Sequence, residues 1–182
     1  QLVGEDFSDA PFEVAGYHWH TIGALYRSEF LKRVGPWNVA MTGSQDWEFQ
    51  ARVKLAGGKR KFVNTIVGYW RQKHRAERVG AIEFRPDYVE SVMIACDVVL
   101  KLAREKDYCD KALEKRLAKR LLVHALEWGA NHHYMDRRMC LLQAKNSLSL
   151  SPFFKFSISL MIYTPSTIDK LLYWFITKDR NH

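Results

Sequence analysis

Two acidic residues, Asp46 and Glu48, flank Trp47 in the stretch GSQDWEFQAR, residues 43–52. A carboxylate at the start of a helix can take a proton from a hydroxyl, which is general-base chemistry. It also lies near unpaired backbone N–H groups and the positive end of the helix dipole, which keep it ionised. The plain alternative is a solvated first turn. Two further groups have the residue types for chemistry. His18 and His20 flank Trp19, and on a strand both imidazoles share a face. A metal site is geometrically open there, alongside packing, but no third ligand is evident nearby and no metal is assigned. Arg71 and His74 combine a cation and an imidazole suited to an anionic ligand, or they belong to a basic surface loop with Lys73, Arg75 and Arg78.

The elements that must position these residues follow from patterning. Residues 11–27 are rich in β-branched and aromatic side chains and read as one or two strands, with Thr21 to Tyr26 the most strand-like. SEFLKRVG reads as a helix with Ser28 as N-cap, Leu31 and Val34 as its apolar stripe, and Gly35 as its stop. PWNVAMTGS reads as a loop. A second helix is predicted from about Gln45 to Ala56, ended by Gly57-Gly58, and a strand from Lys61 to Trp70. After Arg85-Pro86 the texture becomes helical. Val89, Val92, Met93, Cys96, Val99, Leu100 and Ala103 share one face, as do Leu113, Leu117, Leu121, His124, Ala125 and Trp128. A further helix is predicted from Asp136 to Ser149, with Pro152 as punctuation. The expected fold class is therefore α+β over residues 1–80, followed by an all-helical region over 81–182.

The ordered set of segments HTIGALYRSEFLKRVGPWN, GSQDWEFQARVKLAGGK and FVNTIVGYWRQKH resembles the second half of the catalytic domain of family-2 glycosyltransferases, inverting enzymes of the GT-A fold that use nucleotide-sugar donors. The likeness rests on Tyr26-Arg27, Val34-Gly35, Gln45-Asp46, Arg52, Gly57-Gly58, Arg71 and His74. It implies a partial GT-A-like mixed sheet with flanking helices. It also implies that Asp46 is the general base and that Arg71 and His74 stand on the side of the donor diphosphate or its metal. His18, Trp19, His20 and Trp47 would then line the acceptor pocket, although Trp47 on its own reads as a core residue. Arg52 is expected in an ion pair within its helix. Gln45 stands where the family usually has Glu.

The same resemblance implies a donor-binding half ending in an Asp-x-Asp motif that holds a divalent cation. The acidic stretch GEDFSDAP has Glu5, Asp6 and Asp9 at the wrong spacing and no preceding apolar strand. The expectation is a C-terminal glycosyltransferase fragment, inactive alone. By itself it would bind no cofactor, while the complete enzyme would use manganese or magnesium with its nucleotide sugar. A missing N-terminal half-domain, or a second copy paired along an exposed sheet edge, is the expected protein partner.

Charge adds a further constraint. The chain of 182 residues carries a net +8. Residues 1–99 hold 13 Lys and Arg against 12 Asp and Glu, whereas residues 100–182 hold 15 against 8. A basic excess in one half suits an anionic surface. The apolar segments FFKFSISLMIY and IDKLLYWFITK, punctuated by Lys155, Lys170 and Lys178, suit either packing or an anionic membrane surface. The alternative to an enzyme is a basic helical module binding protein, membrane or nucleic acid. Nucleic acid is disfavoured: the one basic run, EKRLAKR at 114–120, reads as the solvated face of an amphipathic helix. Cys96, Cys109 and Cys140 lack C-x-x-C spacing and point to packed thiols in a reducing compartment. With no signal peptide evident, the expected location is cytoplasmic, peripheral at the inner face of the membrane.

Overall fold

In a computed structural model of the chain, the regular structure among the described residues is six α-helices and one 3-10 turn. The structure describes residues 21–59, 65 and 66, 87–131, 133–163 and 169. The chain divides into two units, Gln1–Cys109 and Asp110–His182.

The first unit contains α1 (Ser28–Val34), α2 (Gln45–Leu55) and α3 (Tyr88–Glu105). α1 and α2 end where the glycines require it. Gly35 at φ +84° and Gly57 at φ +75° adopt backbone that side-chain-bearing residues avoid. Gly58 is restricted by space instead, because a Cβ there would lie 2.7 Å from the Val53 carbonyl oxygen. α1 and α2 bury Val34, Phe49 and Val53 together, with Tyr26, Phe30 and Leu31 packed around them. Phe49 is the centre of that cluster. Trp37 stacks on it at 4.5 Å, and Tyr26 meets it edge-on at 5.7 Å. α3 buries Val89, Val92, Cys96, Val99, Leu100 and Ala103, the face its periodicity predicts, and packs with α2.

The second unit contains α4 (Lys111–Ala130), α5 (Tyr134–Ser147) and α6 (Pro152–Tyr163). Asp110 caps α4, its carboxylate accepting from the Leu113 N–H at 2.8 Å. Leu113, Leu117, Leu121, Ala125 and Trp128 form the buried stripe of α4. α5 packs against both α4 and α6. The connection between α5 and α6 is held by buried Glu114 of α4, which accepts from the Ser149 N–H at 3.1 Å. Pro152 opens α6 rather than merely ending α5. A proline at the first helical position loses no hydrogen bond, and the Ser151 hydroxyl accepts from the Phe154 N–H at 3.3 Å. Cys96 and Cys140 are buried thiols and Cys109 is half-buried.

The α+β expectation, with its GT-A-like mixed sheet, is overturned. Every regular element among the described residues is a helix, and no strand pairs with another. The most strand-like segment shows why. Thr21–Gly23 closes into a 3-10 turn, and Ala24 to Arg27 run on without a ladder partner among the described residues. Leu25 is fully exposed while Tyr26 packs on Phe49, so the segment has the alternating period of a strand but is used as a strap across α2. β-Propensity measures fit to a neighbouring strand, and here the neighbour is a helix. The second predicted strand, Lys61 to Trp70, lies outside the described residues apart from residues 65 and 66.

Candidate active site

The first turn of α2 sorts its two acids into different roles. Glu48 is 1% exposed, and Arg52 one turn later grips it with Nε to Oε1 at 2.6 Å and Nη2 to Oε2 at 3.0 Å. The same guanidinium donates to the Val34 carbonyl at 2.7 Å and the Pro36 carbonyl at 2.8 Å. Arg52 therefore caps the end of α1 while neutralising a buried carboxylate, and fixes α1 to α2 at one distance. It is the internal ion pair its spacing predicts. Glu48 is fully committed to that clamp.

Asp46 is exposed on the same turn. Its Oδ1 accepts from the Trp47 N–H at 2.8 Å, which lays the carboxylate over the unpaired amides of the helix start. Trp47 is buried on the inward side of α2. Asp46 and Trp47 thus stand next to each other in sequence with one side chain in solvent and the other in the core.

The loop leading into Asp46 is held from α3. Ser91 is buried, and its hydroxyl accepts from the Thr42 N–H at 2.9 Å and the Gly43 N–H at 3.3 Å. The Thr42 and Ser91 hydroxyls lie 3.1 Å apart, and Ser91 Oγ also reaches the Asp87 carbonyl at 3.4 Å. The Ser44 hydroxyl donates to Tyr88 Oη at 3.2 Å and accepts no capping hydrogen bond from the first turn of α2, and its backbone is left-handed at φ 55°. Gly43 lies against the Tyr88 ring so closely that a Cβ would fall on Cδ2 and Cε2. The arrangement fixes where α2 begins, and hence where the Asp46 carboxylate stands.

Of the residues singled out from sequence, Asp46 and Trp47 are thus on α2. His18, Trp19, His20, Arg71 and His74 lie outside the described residues. Sequence reasoning did not single out Tyr88 or Ser91. They follow the motif by more than forty residues, and no local pattern marks them. Among the described residues, no group of three His, Cys, Asp or Glu side chains converges closely enough to hold a metal ion. No helix among them is long and apolar enough to cross a membrane. Comparison of the chain with family models, curated proteins and solved structures gave no match.

Proposed function

We propose that the chain carries the acceptor-side segment of an inverting, nucleotide-sugar-dependent glycosyltransferase, with Asp46 as its general base. The observation that carries the reading is the division of labour within one helical turn. Glu48 is buried and neutralised by Arg52, while Asp46 is exposed, ionisable and mounted on a loop pinned at both its backbone and its hydroxyl groups. A base must be held in place and must remain accessible to its proton donor. Helix α1, its glycine stop, the loop and α2 also follow in the order that the family resemblance implies.

The chemistry asked of Asp46 is limited and balanced. An acceptor hydroxyl oxygen bonds to the anomeric carbon as the bond from that carbon to the diphosphate oxygen breaks. The electron pair of the broken bond leaves on the diphosphate, and the hydroxyl proton passes to the Asp46 carboxylate. Attack from the face opposite the leaving group inverts the anomeric centre. Arg71 and His74 are assigned to the diphosphate side, and His18, Trp19 and His20 to the acceptor side, on the resemblance alone, while the buried Trp47 is left to the packing of α2. The described residues do not supply a ligand set for the manganese or magnesium that the reading implies, so that cation would take its ligands elsewhere. The reading places the enzyme on the cytoplasmic side of a membrane, in keeping with the basic excess of residues 100–182.

The test is transfer from labelled nucleotide sugars by the gene product containing these residues, with a cell extract as the acceptor source. Asp46→Asn is expected to lower turnover by about 10²–10⁴ while leaving nucleotide binding, read by calorimetry, unchanged. Full turnover by Asp46→Asn would remove Asp46 from the base role. A preparation that neither binds a nucleoside diphosphate nor transfers any sugar would remove the enzyme reading itself.

A further inference from the structure

The outer face of α6 is apolar where solvent should favour polar residues. Phe153, Phe156, Leu160 and Tyr163 recur at helical spacing and are 78%, 61%, 52% and 83% exposed. The inner face is also apolar, with Ile158 1% exposed in the second unit. A helix that is hydrophobic on both sides is ordinarily covered on both. The neighbouring helix α5 extends the pattern, with Met135 70% and Met139 40% exposed. Several large apolar side chains exposed on two packed helices exceed the scattered surface residues of an ordinary domain and mark a contact surface.

Charge selects the occupant. From Tyr134 to Tyr163 there are four basic residues and one acidic residue, Asp136; Arg137 is buried against Asp169, which leaves Arg138, Lys145 and Lys155 to face an anionic surface. The unit as a whole, residues 110–182, holds 12 Lys and Arg against 6 Asp and Glu. A second copy would bring the same positive field to the contact and oppose it, whereas an anionic lipid surface would be attracted. Length then sets the mode of contact. The 12 residues of α6 extend about 18 Å, short of the roughly 30 Å hydrocarbon core, so α6 cannot span and can only lie along the surface. Aromatic rings at Phe153, Phe156 and Tyr163 suit the boundary between headgroups and acyl chains.

We propose that the exposed edge of α6 is a membrane-surface contact that inserts Phe153, Phe156, Leu160 and Tyr163 between anionic lipids, with Arg138, Lys145 and Lys155 at headgroup level. This surface does not depend on the role given to Asp46.

The experiment is co-sedimentation of the full 182-residue chain with vesicles of phosphatidylcholine alone or containing roughly 30 mol% phosphatidylglycerol. The chain is expected to pellet with the anionic vesicles, to stay in solution with the neutral ones, and to lose binding severalfold when salt is raised. The double variant Phe153→Ser/Phe156→Ser is expected to bind anionic vesicles about tenfold more weakly, with its circular dichroism and melting unchanged. Leu160→Gln/Tyr163→Ser tests the other end of the stripe and provides a second readout should the first pair fold poorly. Absence from the anionic pellet, or equal binding by both variants, would overturn the proposal. So would a concentration-dependent dimer in sedimentation velocity that either variant dissolves, since the stripe would then belong to a second copy.

Discussion

Arg52 reaches across from α2 to satisfy the Val34 carbonyl at 2.7 Å while its other nitrogens hold Glu48. Val34 is the last residue of α1, and its carbonyl is one of those that helix geometry leaves without an intrahelical partner. One side chain thus closes the end of one helix and neutralises the buried acid of the next. The clamp gives the two acids of the first turn of α2 different energetic weights.

Glu48→Gln removes the carboxylate but leaves the guanidinium, only 13% exposed, without its countercharge. The expected loss is about 3–5 kcal/mol in the unfolding of the first unit, the range for breaking one side of a buried pair. Asp46→Asn alters an exposed residue and is expected to stay within about 0.5 kcal/mol of the parent. Denaturant titrations followed by tryptophan emission measure both, and equal effects at the two positions would contradict the assignment of Glu48 to the clamp.

Gly43→Ala puts a methyl group into the Tyr88 ring. Gly43 is not in the left-handed region, so the cost comes from space and not from backbone strain. A loss of about 1–3 kcal/mol is expected, as for overpacking of a filled site. Shrinking the ring should return part of it. Gly43→Ala with Tyr88→Ala is therefore expected to fall short of the sum of the two single losses by about 0.5–3 kcal/mol, read in a double-mutant cycle. Strict additivity would mean that the two residues do not share the site.

What could be read in advance depended on how local the cause was. The C-terminal ends of α1 and α2 were legible because Gly35 and Gly57 stand there, although Arg27 and not Ser28 is the N-cap of α1, and the faces of α3 and α4 because Val89 to Ala103 and Leu113 to Trp128 repeat at helical period. Thr21 to Tyr26 misled because its first half closes into a 3-10 turn, and because the alternation of its second half serves packing on a helix as well as pairing in a sheet. The Glu48 and Arg52 pair was visible as a four-residue spacing, but its reach to Val34 and Pro36 was not. Tyr88 and Ser91 left no trace at all, since their partners Ser44 and Thr42 lie 44 and 49 residues away.

The second unit has its own buried pair. Arg137 donates to Asp169 through Nε to Oδ2 at 2.5 Å and Nη2 to Oδ1 at 3.0 Å, with the two residues 6% and 1% exposed. Gly129 of α4 leaves the room, because a Cβ there would strike Asp169 Oδ2. Asp169→Asn is expected to cost about 3–5 kcal/mol by leaving a buried cation unpaired, whereas Arg137→Met with Asp169→Leu should be close to neutral. Thermal melts of the three proteins decide it. A double replacement as damaging as the single one would mean that the charges do more than cancel each other.

Ser91 offers the most direct check on how the Asp46 loop is held. Its buried hydroxyl is the acceptor for two backbone N–H groups, that of Thr42 in a part-buried setting and that of Gly43 in a buried one. Ser91→Ala keeps the volume of the helix face nearly intact but leaves both amides without that acceptor, at a cost of about 1–3 kcal/mol for each group left buried and unsatisfied. The loop is expected to respond by opening to water more often than the rest of α2. Amide hydrogen exchange at Thr42 and Gly43 should therefore accelerate by more than tenfold, the factor that corresponds to about 1.4 kcal/mol, while exchange at Phe49 and Val53 is little changed. If protection is lost evenly along α2, Ser91 supports the whole unit and gives no special anchorage to the segment before Asp46. If it is lost at the loop alone, the position of the carboxylate depends on a helix that begins some forty residues further along the chain.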